Sequence, residues 1–224
     1  MKPTVSVSSV VYNSSINETV LERQEAIDPH SYNLITYSKP KDTCQGRDVF
    51  LGNMTGGFPI KVLGHSFRSV EHLYLLGEWS HEDQTDIQKD ILTATSGYAA
   101  KRYKKCKYRR SIREDYPTFR HQWMLWCIWQ KCLGNKDFRE HLLSFEDDEV
   151  IVEVVKGDPV WAAYPDEKGI LRGGNAVGKI LTICRRCLKQ GTHPNIDTEL
   201  LNRANIYILG EKVEFRDNSE ALSA

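Results

Sequence analysis

The chain has 224 residues, and its 30 Lys and Arg are balanced by 30 Asp and Glu. That length suits one large domain, and 40% hydrophobic with 27% charged residues suits a folded globular protein rather than a disordered one. A formal net charge of +0 excludes a general pull towards nucleic acid, so any such pull must be local.

No apolar run reaches the roughly 18 residues that a membrane helix needs. The opening "MKPTVSVSSVVYN" carries Lys2, but Ser and Thr interrupt its apolar residues, so it reads poorly as a signal peptide. The six cysteines are irregularly spaced in apolar or basic stretches, which points to reduced thiols and a cytoplasmic protein. "CRRC" at Cys184–Cys187 has the look of a redox or zinc half-site. It lies towards the end of its helix rather than at the N-terminus, where a thiolate is stabilised, and Cys127 and Cys132 fit no zinc spacing. The pair reads as buried, unreactive cysteines, and neither a metal nor a cofactor is expected.

In chain order, residues 1–30 read as an edge strand or draped arm, and "SYNLITYSKP" (31–40) as a strand stopped by Pro40. A loop (41–48) follows, then the glycine-rich stretch 49–69 with "FPIKV" as a short strand. Ser69 can cap a helix "VEHLYLLGEW", whose Glu71, Tyr74, Leu75 and Glu78 form one stripe. Helices are expected over 82–94 and 96–107. The stretch 117–134 carries three of the five tryptophans, is apolar almost all round, and should be a central buried helix. A short amphipathic helix (136–145), a strand "EVIVEVV" (149–155) and a long loop (157–174) come next. A helix over 175–190 has an Asn cap and Gly191 as its stop, and "RANIYILG" (203–210) reads as a last strand. The class is α+β: a helix-dominated single domain with a small β-sheet. Residues 31–190 are its body, and 191–224 an extension packed on it.

Four local features carry chemistry. "RGGN" before the last long helix leaves backbone N–H groups bare at a helix start, and with Arg172 and Lys179 it could cradle phosphate. It matches neither a P-loop nor a dinucleotide fingerprint, and Gly and Asn before a helix are common. "EVVKGDPVW" sets Glu153, Asp158 and Trp161 at a strand end, where a base could stack on the indole; a capped turn with a core Trp is the plainer reading. "KRYKKCKYRRSIR" (101–113) holds eight Lys and Arg with two tyrosines, suiting either a nucleic-acid backbone or a solvated face. Glu71, in a first helical turn, would be favoured there by the helix dipole alone.

Taken together and in order, "FLGNMTGGFPIKVLGHSFRSVEHLYLLGEW", "DYPTFRHQWMLW" and "IVEVVKGDPVWAAYPDEKGILRGGNAVGKILTICRRCL" resemble the signature segments of the NADAR family over roughly residues 34–190. "RANIYILG" is similar to the extension of members found beside DarT-type DNA ADP-ribosyltransferase toxins. The resemblance implies an N-glycosidase without cofactor or metal. Its substrate would be ADP-ribosylated guanine, as a nucleotide or in DNA, and a DarT-type toxin would be its operon partner. The alternatives are a hydrolase of ribosylaminopyrimidine phosphates of riboflavin synthesis and a non-catalytic ADP-ribose-binding module.

By position, the resemblance implies Glu71, Lys39 and Asp158 as catalytic residues, with Asn53, Glu153, Trp161, Asn175 and Gly178 around the substrate; Arg172 and Gly174 join them from the phosphate-cradle reading, and Tyr116 as the residue standing where the family often has tryptophan. Glu71 would act as general acid or base on the sugar linkage. Lys39 would attack the opened sugar as a Schiff base, with direct water attack as the simpler rival. Trp161 would plate the base, Asp158 and Asn175 hold ribose hydroxyls, and Arg172 with the 173–178 amides hold pyrophosphate. The chain departs from the family pattern at Ala162, Tyr116 and Leu75, which bears on substrate choice rather than reaction type.

Overall fold

The computed structural model describes residue 21, residues 23–38 and residues 50–216. Lys39 and most of the first arm therefore lie outside the described residues. Strand β1 (Glu25–Ile27) is followed by β2 (Leu34–Tyr37) and the hairpin β3 (Ile60–Val62) and β4 (His65–Phe67). Then come α1 (Val70–Leu76), continued by a tight turn Gly77–Trp79, and α2 (Thr85–Leu92).

From Gly97 the chain winds irregularly. α3 (Gly97–Ala99) opens into a π-turn (Ala100–Lys104), closes again as α4 (Lys105–Tyr108) and ends in a tight turn (Arg109–Ser111). Single wide turns of this kind are frequent at functional sites. The long helix α5 (Tyr116–Gly134) and α6 (Lys136–Leu143) lead to β5 (Val150–Glu153), β6 (Ala163–Pro165) and β7 (Leu171–Gly173). Helices α7 (Ala176–Gln190) and α8 (Thr198–Arg203) and the small hairpin β8 (Tyr207–Ile208) and β9 (Glu211–Lys212) complete the described chain.

The architecture is α+β, with helices dominant and the strands in small separate sheets. β2 pairs in parallel with β5, Leu34 opposite Val150 and Tyr37 opposite Glu153. β1, β7 and β6 form an antiparallel sheet with β7 in the middle. As its all-round apolar composition requires, α5 is the axis of the core: Trp123, Ile128, Trp129 and Cys132 are fully buried on it. α7 shows a one-sided pattern, and Ile180, Leu181 and Cys184 lie inside. Cys127, Cys132, Cys184 and Cys187 are free and buried, so the "CRRC" pair is core packing.

Two sequence expectations are corrected. The stretch 157–174 is not a long loop, because it folds into the β6–β7 hairpin. Its turn closes where the Asp166 amide donates to the Ile170 carbonyl (2.9 Å) and the Gly169 amide to the Asp166 carbonyl (2.9 Å). Three-residue strands are too short to show alternation. The expected strand over 203–210 is instead the end of α8 followed by the two-residue β8. Ile206, Ile208, Val213 and Phe215 are buried in the main core cluster, so this extension is built into it.

Candidate active site

Helix α1 begins where Ser69 takes an extended backbone (φ −160°, ψ 166°). Its hydroxyl does not cap the helix but lies 2.9 Å from Nδ1 of His72. The Asn53 carbonyl instead accepts the orphan amide of Glu71 at 2.9 Å, tying the glycine-rich loop to the helix start. The Asn53 side chain is held by an Nδ2 bond to Met124 Sδ (3.3 Å) on α5. Asn53 thus positions Glu71 through its backbone. Burial holds the His72 imidazole below its usual titration range, so it packs as a neutral ring.

Glu71 is 4% exposed, yet its side chain lines a hollow of ≈ 790 Å³ counted out to its open mouth. One wall is aromatic: Tyr74 lies 6.0 Å from Tyr116 and 5.7 Å from Trp161, centroid to centroid. His121 backs the Trp161 ring at 4.8 Å, and the Arg120 guanidinium sits 6.0 Å from it. Burial pushes both phenols, Tyr74 and Tyr116, well above their ordinary range, so they stay neutral. Glu153 and Asp158 also line the hollow, and Asp158 fixes its own turn by accepting the Trp161 amide at 3.1 Å.

Two of the hollow's cations, Lys101 and Lys105, come from the irregular run after α2, and Arg120 comes from α5. Lys101 Nζ lies 3.9 Å from Glu71 Oε1, and that carboxylate raises the lysine above its usual range. One turn on, Lys105 donates to Glu78, which is 2% exposed. Burial raises Glu78 from the normal carboxylate range, against the pull of Lys105. Glu78 Oε2 is buried and has no hydrogen-bond partner among the described residues. A buried oxygen left so costs about 1–3 kcal/mol, more when charged.

Of the residues expected at the substrate, Glu71, Asn53, Tyr116, Glu153, Asp158 and Trp161 line this hollow together. Arg172, Gly174, Asn175 and Gly178 do not. The Arg172 side chain is on the outer face of β7, 59% exposed and bound to Asp166 at 2.6 Å. The amides of the expected phosphate cradle are already used. Gly174 N–H donates to Pro159 (2.7 Å), and those of Asn175, Ala176 and Val177 donate to the carbonyls of Ala162, Val160 and Trp161 (each 3.2 Å). Lys179 is 1% exposed and pairs with Glu25 at 3.2 Å.

Asn175 is a clamp. Its left-handed backbone (φ 46°) lets Oδ1 accept the Glu153 amide (3.0 Å) while Nδ2 donates to Ile151 (2.9 Å). At Gly178 a Cβ would collide with the Ile151 carbonyl, so glycine is required for α7 to lie against β5. This turn lies behind the hollow's lining and holds Glu153 and Trp161 in place.

The basic tract 101–113 is divided. Lys101 and Lys105 face the hollow. Lys104 and Lys107 bind Asp90 (2.7 and 3.0 Å), and Arg113 is buried on Asp115, Ser80 and the Ala204 carbonyl. Arg109 and Arg110 are exposed. Sequence reasoning missed Lys101, Lys105, Arg120 and Glu78 as site residues. The signals were the four-residue step between the lysines and the seven-residue step from Glu71 to Glu78. Among the described residues no three His, Cys, Asp or Glu side chains group as metal ligands would.

Fold and site together define an α+β domain with a buried carboxylate in an aromatic-walled, mixed-charge hollow. The NADAR domain model matches residues 44–189, and the chain belongs to that family, which is associated with N-glycosidase activity. The NMR structure of the E. coli protein YbiA has the same fold. It superimposes with a TM-score of 0.55 at 22% identity, over 70% of this chain and 86% of that one. No curated protein sequence matches.

Proposed function

We propose that this protein is an N-glycosidase hydrolysing the C1″–N bond that joins ADP-ribose to guanine, with guanine in DNA as the substrate and a DarT-type toxin as its counterpart. The observation that carries the reading is that a buried carboxylate (Glu71), an aromatic plate (Trp161) and an ammonium 3.9 Å from that carboxylate (Lys101) share one hollow. A nucleotide sugar presents the three matching parts: a linkage that breaks under proton transfer, a flat base and phosphates.

Glu71 moves the proton. Protonation of the ribose ring oxygen opens the sugar: the C1″–O4″ bond breaks, the oxygen leaves as a hydroxyl, and an iminium forms between C1″ and the guanine nitrogen. An amine adds to C1″ and the guanine amine departs with a proton; water then releases ADP-ribose from the enzyme imine. Lys39 is the candidate amine, since Ser38 before it lines the hollow. Trp161 plates the base. Lys101 and Arg120 take the pyrophosphate in place of Arg172 and the 174–177 amides, which are engaged elsewhere. Asp158 and Glu153 accept from ribose hydroxyls.

The test offers the protein an ADP-ribosylated guanine oligonucleotide and a ribosylaminopyrimidine phosphate. Release of ADP-ribose from the first with the second intact is expected. Consumption of the second alone assigns the riboflavin-type reaction, and tight binding of ADP-ribose without turnover of either assigns a reader.

A further inference from the structure

The proton-transfer scheme leaves one buried group of the hollow unused. Glu78 is 2% exposed, its side chain lines the hollow, and only its Oε1 is engaged, by Lys105. Oε2 has no donor among the described residues. A buried carboxylate oxygen without a protein donor is costly to leave unpaired, and in a ligand-sized hollow it is placed to accept a hydrogen bond from what binds there. Lys105, one-third exposed, has two further N–H groups beside it. The pair therefore offers an acceptor and a donor side by side.

We propose that Glu78 and Lys105 form the base-reading element of the site, selecting the guanine lactam: Glu78 Oε2 accepts from N1–H while Lys105 donates to O6. This rests on the ADP-ribosylguanine reading above and adds the residues that choose the base. Adenine carries the reverse pattern, an N–H donor at position 6 and a bare N1, and would face ammonium with amine and carboxylate with a lone pair. Cytosine fails in the same way. The N2 amine that bears ADP-ribose adjoins N1, so the lactam can be read with the sugar still attached. Tyr74 and Tyr116, neutral and close to Glu78, keep this corner dry and so strengthen both bonds.

The experiment compares wild type, Glu78→Gln and Glu78→Ala on ADP-ribosylated guanosine, its N1-methyl derivative and free ADP-ribose. The wild type is expected to prefer the unmethylated substrate at least about tenfold. Glu78→Ala should lose most of that preference, because both the acceptor and the steric conflict are gone. Both variants should raise KM on ADP-ribosylated guanosine at least about tenfold while ADP-ribose affinity stays within about twofold, which also shows that they fold. An unchanged preference in Glu78→Ala, or an equal loss of ADP-ribose affinity, overturns the assignment and leaves the glycosidase reading standing. If the wild type releases no ADP-ribose from either guanosine substrate, the parent reading fails and this one with it.

Discussion

Glu71 and Glu78 stand seven residues apart, two turns along one helical run, and both carboxylates reach the same hollow, each with its own lysine, Lys101 and Lys105. The two lysines are themselves one turn apart on a π-widened run, so the two helical surfaces meet as matched acid–base ladders. The outer rung, with Lys101 41% exposed, is open to ligand phosphates. On the inner rung Glu78 is buried and Lys105 one-third exposed.

Glu71→Gln keeps the shape of the site and removes its proton carrier. Turnover of ADP-ribosylated guanine should fall by about 10²–10⁴-fold. ADP-ribose affinity, measured by calorimetry, should hold.

Lys39 is tested by reduction. Borohydride added during turnover should trap one ADP-ribose on the chain, mapped to Lys39 by mass spectrometry, and Lys39→Met should abolish both adduct and turnover. Turnover by Lys39→Met without an adduct would assign the attack to water instead.

Lys101→Ala should weaken ADP-ribose binding about 10- to 100-fold, the scale of one lost charge-assisted bond, and flatten the dependence of affinity on salt. Arg172→Ala should leave affinity unchanged, since that side chain binds Asp166 on the outer face of β7.

The Glu25–Lys179 pair gives a stability test. Burial raises Glu25 and lowers Lys179, so each charged form is disfavoured on folding. A carboxylate raised above its unfolded value of 4.5 stabilises below that value, and this stability is lost as pH rises through its folded value. Lys179→Met alone should cost about 3–5 kcal/mol in urea unfolding at pH 7, because it strands a buried charge. The Glu25→Gln/Lys179→Met double variant should recover most of that and lack the fall in stability that Glu25 contributes above pH 4.5.

Glu78, also raised by burial, has the same sign. Glu78→Gln should unfold at a temperature equal to or above that of the wild type at pH 7. The difference should shrink as pH falls towards 4.5, where the wild-type carboxyl takes up its proton.

The sequence by itself determined the elements whose pattern is local. The apolar girth of 117–134 made α5 the core axis, Gly191 (φ 64°) stops α7, and the stripe from Glu71 to Glu78 set both acids on one face. The tertiary structure alone decided which charges meet. Arg172 and Lys179 stand beside a glycine turn in sequence, yet one faces out from β7 and the other is sealed against Glu25, while the lysines that reach the hollow come from a tract that reads equally as a nucleic-acid contact or a solvated face. Periodicity records how an element buries its own side; it carries no information about which other element's side chains, or which carbonyls, will lie across from it.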